Sequence, residues 1–186
     1  MKRIAIATMT LIALGGCTSV NSLTSAFTSM RPDYTDLPAD DMRALAAGIE
    51  KAIAEGNREV VVLSSGPLKV DDDVIQQAIR TRAARGKLVS ELLDRGHAWE
   101  RSNGLVAIIR TSEYKKSGTS RSRDREAVLV MGENDDRWAI YEGVLKHNNL
   151  PPSALGGIQR IFHEERLVTM APGQKFETES GDAAAK

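Results

Sequence analysis

The sequence predicts a mainly helical α+β domain, with three to four helices and a small sheet of short strands. Several long stretches have apolar residues at spacings of three and four, which is the pattern of amphipathic helices. Short β-branched runs stand between turn-forming residues, which is the pattern of strands. The chain contains one cysteine, so no disulfide can form within it and the fold must rest on apolar burial.

The first helix is predicted over residues 39–55, where apolar side chains form one stripe opposite charged residues. Pro38 suits the first turn of this helix and Gly56 suits its exit. The stripe consists of Met42, Leu45, Ala46, Ile49, Ala52 and Ile53. A strand is predicted over Glu59–Leu63, because this run is short and β-branched and is followed by the breaker Ser64–Pro67.

A second helix is predicted to begin at Asp71–Asp73, because carboxylates there suit an N-cap and the positive end of the helix dipole. A calcium loop would instead need acidic residues at alternate positions followed by a glycine, and these residues are contiguous. The apolar residues from Ile75 to Leu93 keep helical phase across Gly86. One helix over about 72–95 and two helices broken at the glycine are both open.

The Asn103–Gly104 pair predicts a turn, and Leu105–Arg110 after it has the composition of a strand. Residues 111–125 are predicted to form a loop with five cations among serine, threonine and glycine. Such a run is usually solvated, and the alternative is contact with anionic headgroups or a partner. The cations are Lys115, Lys116, Arg121, Arg123 and Arg125.

The third long helix is predicted over residues 124–148, although residues 127–131 also fit a strand. Its apolar stripe consists of Ala127, Met131, Trp138, Tyr141 and Leu145. Another helix should start at Pro152 and run to about Arg166. Residues 167–176 suggest a final short strand or hairpin, beginning with the run 167–170. The single globular domain is therefore expected over residues 39–177, with a disordered tail at 178–186.

The first seventeen residues have the layout of a secretory leader. Lys2 and Arg3 precede an apolar run that is too short to cross a hydrocarbon core, and two glycines stand before Cys17. The order Leu14-Gly15-Gly16-Cys17 resembles the bacterial lipobox, which implies cleavage of a signal peptide at 1–16 and lipidation of Cys17. Two or three acyl chains hold a protein on a membrane.

The residues after the cysteine predict a flexible tether over 18–38, because this stretch is rich in serine and threonine and has no apolar period. Thr18 stands where an aspartate would favour the inner membrane. The expected location is therefore the periplasmic face of the outer membrane, with the inner membrane as the alternative.

Four short motifs stand out between residues 71 and 177. They are Gly96 with Glu100 and Asn103-Gly104-Leu105, the run from Glu133-Asn134 to Arg137-Trp138 and Tyr141, the turn Asn149-Leu150-Pro151, and Ala171-Pro172-Gly173. Together they resemble the YdbL-like family, which consists of bacterial envelope domains without an assigned catalytic activity. The resemblance implies a periplasmic or lipid-anchored accessory protein, in some members tied to AsmA-like systems that move phospholipid between membranes.

The core of the resemblance lies on the third long helix, where Asn134, Arg137 and Tyr141 share one face at i, i+3 and i+7. We expect this face, with the turn near residues 99–104, to be either an interaction surface or a packing centre that joins helices and turns. The residues concerned are Gly96, Trp99, Glu100, Asn103, Gly104, Asn134, Arg137, Trp138 and Tyr141.

Catalytic and metal-binding motifs are not recognisable in the sequence. The run Glu133–Asp136 is spread around a helix, so at most two of its side chains could face one ion, and pairing of Glu133 with Arg137 at i+4 is the simpler reading. His97, His147 and His163 lack metal-ligand spacing. The chain has 25 basic and 25 acidic side chains, a balance unlike that of nucleic-acid-binding proteins.

These observations predict a non-catalytic envelope lipoprotein, without cofactor or metal, that acts as an accessory or chaperone-like factor by binding another envelope protein. Through the family resemblance it is linked to AsmA-like lipid transport between membranes. Two alternatives remain open at this stage. One is a membrane-surface module that uses the basic loop 115–125, and the other is an envelope hydrolase that uses the carboxylates near Glu133.

Overall fold

The computed structural model describes residues 33–59 and 65–186, which belong to one compact unit, Arg31–Lys186. The leader, Cys17, most of the tether and the strand predicted at 59–63 lie wholly or largely outside the described residues. The fold is α+β and mainly α, with 60% helix and a small mixed sheet. The predicted fold class is therefore confirmed.

Five α-helices and four strands follow one another along the described residues. They are α1 (Ala39–Ala54), α2 (Asp73–Asp94), β1 (Ala98–Glu100), β2 (Val106–Ile108), α3 (Ser112–Lys116), α4 (Ser120–His147), a 3₁₀ turn at Pro152–Ala154, α5 (Leu155–Thr169), β3 (Lys175–Glu177) and β4 (Ala183–Ala185). The strands form one sheet in the order β2-β1-β3-β4. The pairs β1–β2 and β3–β4 are antiparallel, and β1–β3 is parallel.

Helix α2 is a single helix, as one of the two sequence readings predicted. The side chain of Asp72 accepts hydrogen bonds from the backbone N–H of Val74 and Ile75, so the acidic run caps the helix as predicted. Gly86 lies inside the helix, where a Cβ atom would lie 3.2 Å from the carbonyl oxygen of Ile53. The glycine therefore allows α1 to come close to α2.

The prediction of a loop at 111–125 is wrong, because most of this segment is helical. Thr111 caps α3 by accepting from the N–H of Tyr114, and Thr119 caps α4 by accepting from the N–H of Ser122. Both bonds are 3.1 Å long. Threonine side chains that satisfy the first free N–H groups explain two helix starts in a stretch whose composition resembles a loop.

Two predictions at the carboxyl end need correction. The final strand predicted within 167–176 is present as β3 from Lys175, but the run 167–170 is not a strand, because α5 continues to Thr169. The tail predicted to be disordered contains β4, which pairs with β3 from Ala183 opposite Glu177 to Ala185 opposite Lys175. An unpaired strand edge is a template for further pairing, and the tail supplies the partner.

The core lies where α1 packs between α2 and α5, with α4 against α2 and α5. Its buried residues include Met42, Leu45, Ile49, Ile75, Ile79, Ile140, Tyr141, Val144, Ile158 and Phe162. A second apolar cluster joins α2 and α4 to the sheet through Val89, Leu92, Leu93, Ala98, Val106 and Val130. Helices α2 and α4 run antiparallel, since Arg82 meets Glu133 and Arg95 meets Glu126.

Helices α2 and α4 pack tightly at Gly143, where a Cβ atom would lie 2.5 Å from Cγ1 of the fully buried Ile75. We expect Gly143→Ala to destabilise the protein by roughly 1–3 kcal/mol, because overpacking outweighs the better helix propensity of alanine. Gly132→Ala on the same helix is the matched control, since its nearest contact would be 3.5 Å away. That control should stabilise by about 0.5–1 kcal/mol. Urea unfolding followed by circular dichroism gives both values, and a stabilising Gly143→Ala would contradict the packing described here.

Candidate functional site

Six charged side chains lie in the centre of the domain and are at most 4% exposed. Three are arginines and three are glutamates, so the charges of the set balance. They are Glu50 from α1, Arg82 from α2, Glu100 from β1, Glu133 and Arg137 from α4, and Arg166 from α5. Buried charges require partners, and these six residues serve as partners for one another.

The first half of the set is arranged around Arg82. Its two terminal nitrogens donate to the two carboxylate oxygens of Glu50, each over 3.0 Å. Its Nε donates to Oε1 of Glu133 over 2.9 Å. Glu50 therefore pairs with Arg82 in the bidentate geometry that favours arginine over lysine.

The second half is arranged around Arg137 and Arg166. Arg137 donates to both oxygens of Glu100 over 2.6 and 2.8 Å, and its Nε donates to Oε1 of Glu133 over 2.8 Å. Arg166 donates to Glu100 over 3.2 Å and to Glu50 over 2.8 Å. The six residues thus form a closed ring in which positive and negative groups alternate, called the ion ring below.

The ion ring is joined to the Asn103–Gly104 turn through one carbonyl oxygen. The carbonyl of Gly104 accepts from Arg166 over 2.8 Å, from Tyr141 over 2.7 Å and from Arg137 over 3.3 Å. Gly104 has φ +78°, and a Cβ atom there would lie 3.0 Å from the Tyr141 hydroxyl. Only glycine suits both the conformation and the space.

The ring glutamates stay ionised at neutral pH. Burial raises the pKa of Glu100, but Arg137 and Arg166 lower it more strongly, and the pKa falls to about 2. Burial also raises the pKa of Glu133, but Arg82 and Arg137 lower it more strongly, and this pKa falls to about 2 as well. The pKa of Glu50 is lowered in the same way. Carboxylates with such a pKa do not donate protons near pH 7, so the ring is unsuited to general acid catalysis.

The nine sequence-predicted residues fall into two groups. Glu100, Gly104, Arg137 and Tyr141 meet at the ion ring. Asn134 lies beside it and fixes β2, because its side chain donates to the carbonyl and accepts from the N–H of Val106, each over 2.9 Å. These contacts make the predicted face a packing centre within the domain.

The remaining predicted residues lie outside the ring. Gly96 ends α2 with φ +64°, and the Asn103 side chain accepts from the N–H of Leu105 within the turn. Trp99 lies under the Arg101 guanidinium at 5.5 Å. Trp138 meets Tyr141 edge-on at 6.4 Å. None of the four contributes an atom to the ion ring.

Three ring residues, Glu50, Arg82 and Arg166, were missed by sequence reasoning, and Glu133 was predicted only as the i+4 partner of Arg137. That pair is present at 2.8 Å. A signal for the other three exists in the sequence, because each stands on the apolar stripe of its helix beside buried neighbours. A charged residue in an apolar stripe requires a buried partner.

A cavity of about 590 Å³ adjoins the ion ring, and all six ring residues contribute to its lining. It lies between the end of α1, the middle of α2 and the end of α5, and we call it the ring cavity. Its other lining residues include Ile53, Glu55, Arg58, Lys87, Val89, Ser90, Leu93, Thr169, Met170 and Gln174.

A larger depression of about 820 Å³ lies on the outer side of α2 and α4, and we call it the α2–α4 groove. Apolar side chains are open to solvent there, since Leu88 is 52% exposed and Val128 is 68% exposed. The groove is lined by Thr81, Ala84, Arg85, Leu88, Glu91, Leu92, Arg95, Ser122, Arg125, Glu126, Val128, Leu129 and Gly132.

The histidines occupy three different environments. His97 lies 3.3 Å from Glu126 and packs edge-on against Tyr114, and His147 pairs with Asp71 over 2.8 Å. His163 is 2% exposed, and its Nδ1 has no hydrogen-bond partner among the described residues. Burial, with help from Arg166, lowers the pKa of His163 to about 4. Within residues 33–59 and 65–186 no group of three histidine, cysteine or acidic residues is placed to hold a metal ion.

None of the helices in the described ranges is both long enough and apolar enough to span a membrane.

Comparison of this chain with protein-family models, with curated proteins and with solved structures finds no match.

The ion ring predicts a large cost for removing one member. We expect Arg137→Met to destabilise the protein by about 3–5 kcal/mol, because Glu100 and Glu133 would stay buried with fewer partners. Arg43→Met is the matched control, since Arg43 pairs with Glu164 on the surface and its side chain is 45% exposed. The control should cost less than about 1 kcal/mol. Urea unfolding measures the free energy of unfolding of both variants. Equal losses would show that Arg137 in the ring stabilises the protein no more than a surface ion pair does.

His163 predicts a loss of stability in mild acid. Its pKa is about 4 in the folded protein and about 6.5 in an unfolded chain. Stability is therefore complete above pH 6.5 and falls as the pH drops from 6.5 through 4, by about 3 kcal/mol in all. The ring glutamates change the free energy of unfolding mainly below about pH 4.5, because the pKa of Glu100 and Glu133 falls from 4.5 to about 2 on folding. In His163→Gln the urea midpoint should change less between pH 6.5 and pH 4 than in the wild-type protein. An unchanged dependence of the midpoint on pH would contradict a neutral buried imidazole.

Proposed function

We propose that this chain is a lipid-anchored bacterial envelope protein that acts without catalysis, as an accessory or chaperone-like factor that binds another envelope protein. The observation that carries the proposal is the α2–α4 groove, where apolar side chains of two packed helices are open to solvent. Exposed apolar surface that is rimmed by polar residues is characteristic of protein-binding sites.

The groove is a better binding surface than the face around Asn134 and Arg137. The polar atoms of that face already bond to Val106, Glu100, Glu133 and Gly104 within the domain. A partner would have to break these bonds to use them. Covering the apolar side chains of the groove with a partner breaks no such hydrogen bonds, so their burial is favourable.

The shape and charge of the groove suit an amphipathic helix. Two antiparallel helices border it, and a third helix can lay its apolar face between them. Arg125 is exposed at the border, while Arg95 pairs with Glu126 and Arg85 pairs with Glu133 and Asp136. The border therefore offers polar contacts around an apolar centre, which is the usual anatomy of an interface.

The place of action rests on the sequence. The resemblance of residues 14–17 to a lipobox supports lipidation of Cys17 and cleavage of the leader before it. Thr18 in place of an aspartate favours the periplasmic face of the outer membrane. A tie to AsmA-like lipid transport between membranes rests on the resemblance to the YdbL-like family alone.

A membrane-surface role is the second candidate, because four cations of the segment 115–125 are exposed. They are Lys115, Lys116, Arg121 and Arg125. The fifth, Arg123, is used within the domain and donates to the carbonyls of Lys115 and Gly118. Each exposed cation near an anionic bilayer contributes about 1 kcal/mol of attraction.

A hydrolase has less support. The ring cavity does bring carboxylates together near Glu133, as a glycosidase would require. However, a glycosidase needs one carboxylic acid with a raised pKa, whereas Glu100 and Glu133 have pKa values of about 2 and every ring carboxylate pairs with at least two arginines.

Photocrosslinking in intact cells tests the binding proposal. A photoreactive residue at Val128 should yield one discrete crosslinked partner, and the matched control is Val168 on α5, which is equally exposed at 70% but lies outside the groove. Leu88→Glu should remove the crosslink by placing a charge among apolar groups. Identical products from Val128 and Val168, or none from Val128, would contradict the proposal.

The same cells separate the groove from the anchor. Labelled palmitate should enter the wild-type protein but not Cys17→Ser, and Cys17→Ser should lose the crosslink because it is released from the membrane. Binding of vesicles by the unlipidated domain that disappears when Lys115, Lys116, Arg121 and Arg125 become alanine would favour the membrane-surface role instead.

A further inference from the structure

The ring cavity lies on a different side of α2 from the α2–α4 groove, and protein binding in the groove leaves it unused. Its volume of about 590 Å³ is within the range of sites that hold small molecules. The cavity also has a floor of buried charged groups, which is uncommon for a simple packing defect, since dry voids in proteins are apolar.

The floor of the cavity has more hydrogen-bond donors than acceptors. A guanidinium group has five N–H donors, so the three ring arginines have fifteen, and they make ten hydrogen bonds among the described residues. On the same basis the three ring carboxylates have about twelve lone-pair positions, and they accept nine hydrogen bonds. Every nitrogen and every carboxylate oxygen of the ring therefore has a partner, but more N–H groups than lone pairs are left over, and a ligand rich in oxygen would accept from them.

The rim of the cavity adds positive charge. Arg58 and Lys87 line it and are exposed, whereas Glu55 is the single rim carboxylate among the described lining residues and lies 4.0 Å from Lys51. Since the ring itself is neutral, the two rim cations set the sign of the field at the mouth. A cation would be repelled there, and at the floor it would have to compete with arginine for every carboxylate oxygen.

One wall of the cavity is apolar. Ile53, Val89, Leu93 and Met170 contribute to it, beside the polar groups of Ser90 and Gln174. An apolar body with a polar head would contact both kinds of surface at once. Sites for small molecules commonly combine apolar walls with a few convergent polar groups.

From these four observations we propose that the ring cavity binds a small amphiphilic anion, with an oxyanion head such as phosphate or carboxylate toward Arg82 and Arg166 and an apolar body against the wall. Lys87 attracts the head at the mouth. Ligands of this chemistry are fragments of lipids or free oxyanions. The two sources differ in whether the apolar body contributes to affinity.

Nuclear magnetic resonance of the full-length protein tests the site with three probes, namely inorganic phosphate, octyl phosphate and octanol. Octyl phosphate should shift the backbone amides of Gly86 and Ser90 and the side-chain Nε–H signals of the ring arginines. Octyl phosphate binding tighter than phosphate binding identifies a lipid-like ligand, and equal binding identifies free phosphate. Shifts with octanol that match those with octyl phosphate, shifts confined to Leu88 and Val128, or no shifts at all would each overturn the proposal.

Two pairs of variants separate the site from the stability of the fold. Lys87→Glu should weaken binding of octyl phosphate roughly tenfold, because an attractive charge becomes a repulsive one. Lys116→Glu is its control, with the same charge change at an exposed position outside the cavity lining. Ser90→Trp should block binding by filling the cavity, whereas the same change at Ser112, an exposed position outside the cavity lining, should leave binding unchanged. The ring arginine signals report whether each variant keeps the ion ring, and unchanged binding by Lys87→Glu and Ser90→Trp would refute the site.

Discussion

A closed ring of six buried charges joins four helices and one strand of this domain. Removing charges from water costs several kcal/mol for each ion, and only complete pairing offsets that cost. In the ring each carboxylate meets at least two guanidinium groups, and Glu133 also binds Arg85. Apolar residues of the same volume would stabilise the domain more than such a ring does. The charged groups, however, pair well in only one arrangement. Its members come from α1, α2, α4, α5 and β1, so the ring connects all five elements.

The ring also explains how so small a sheet keeps its place. Each strand is three residues long, and strands of this length are marginal without packing against helices. Helix α4 supplies that packing through two side chains. Arg137 binds Glu100 of β1, and Asn134 binds the backbone of β2 at Val106. The Gly104 carbonyl, with its three donors, then fixes the turn between the two strands.

Five of the nine residues of the face predicted from the sequence are used for packing within the domain. Glu100, Gly104, Asn134, Arg137 and Tyr141 join helices to strands at the ring and the turn. The two proposed binding sites are the α2–α4 groove and the ring cavity, and both border helix α2. Arg85 stands between them, because it lines the groove while binding Glu133 of the ring. A rigid α2 is therefore a condition for both proposed binding sites.

The sequence alone determined the features that depend on near neighbours. Apolar spacing predicted α1, α2 and α5, Asp72 predicted the cap of α2, and the i+4 spacing predicted the pair of Glu133 with Arg137. Helix α4 was also predicted, but its predicted apolar stripe is partly wrong, because Ala127 and Met131 are exposed and the buried face includes Val130, Ile140 and Val144. Only the tertiary structure decided which charges meet, since Arg82 finds Glu50 across 32 residues and Arg166 finds it across 116. The pairing of β4 with β3, which replaced a predicted disordered tail, is another contact that no short window of sequence contains. The physical reason is the same in both cases: hydrogen bonds and ion pairs act over a few ångströms in space, and local patterns do not show which distant segments the fold brings within that range.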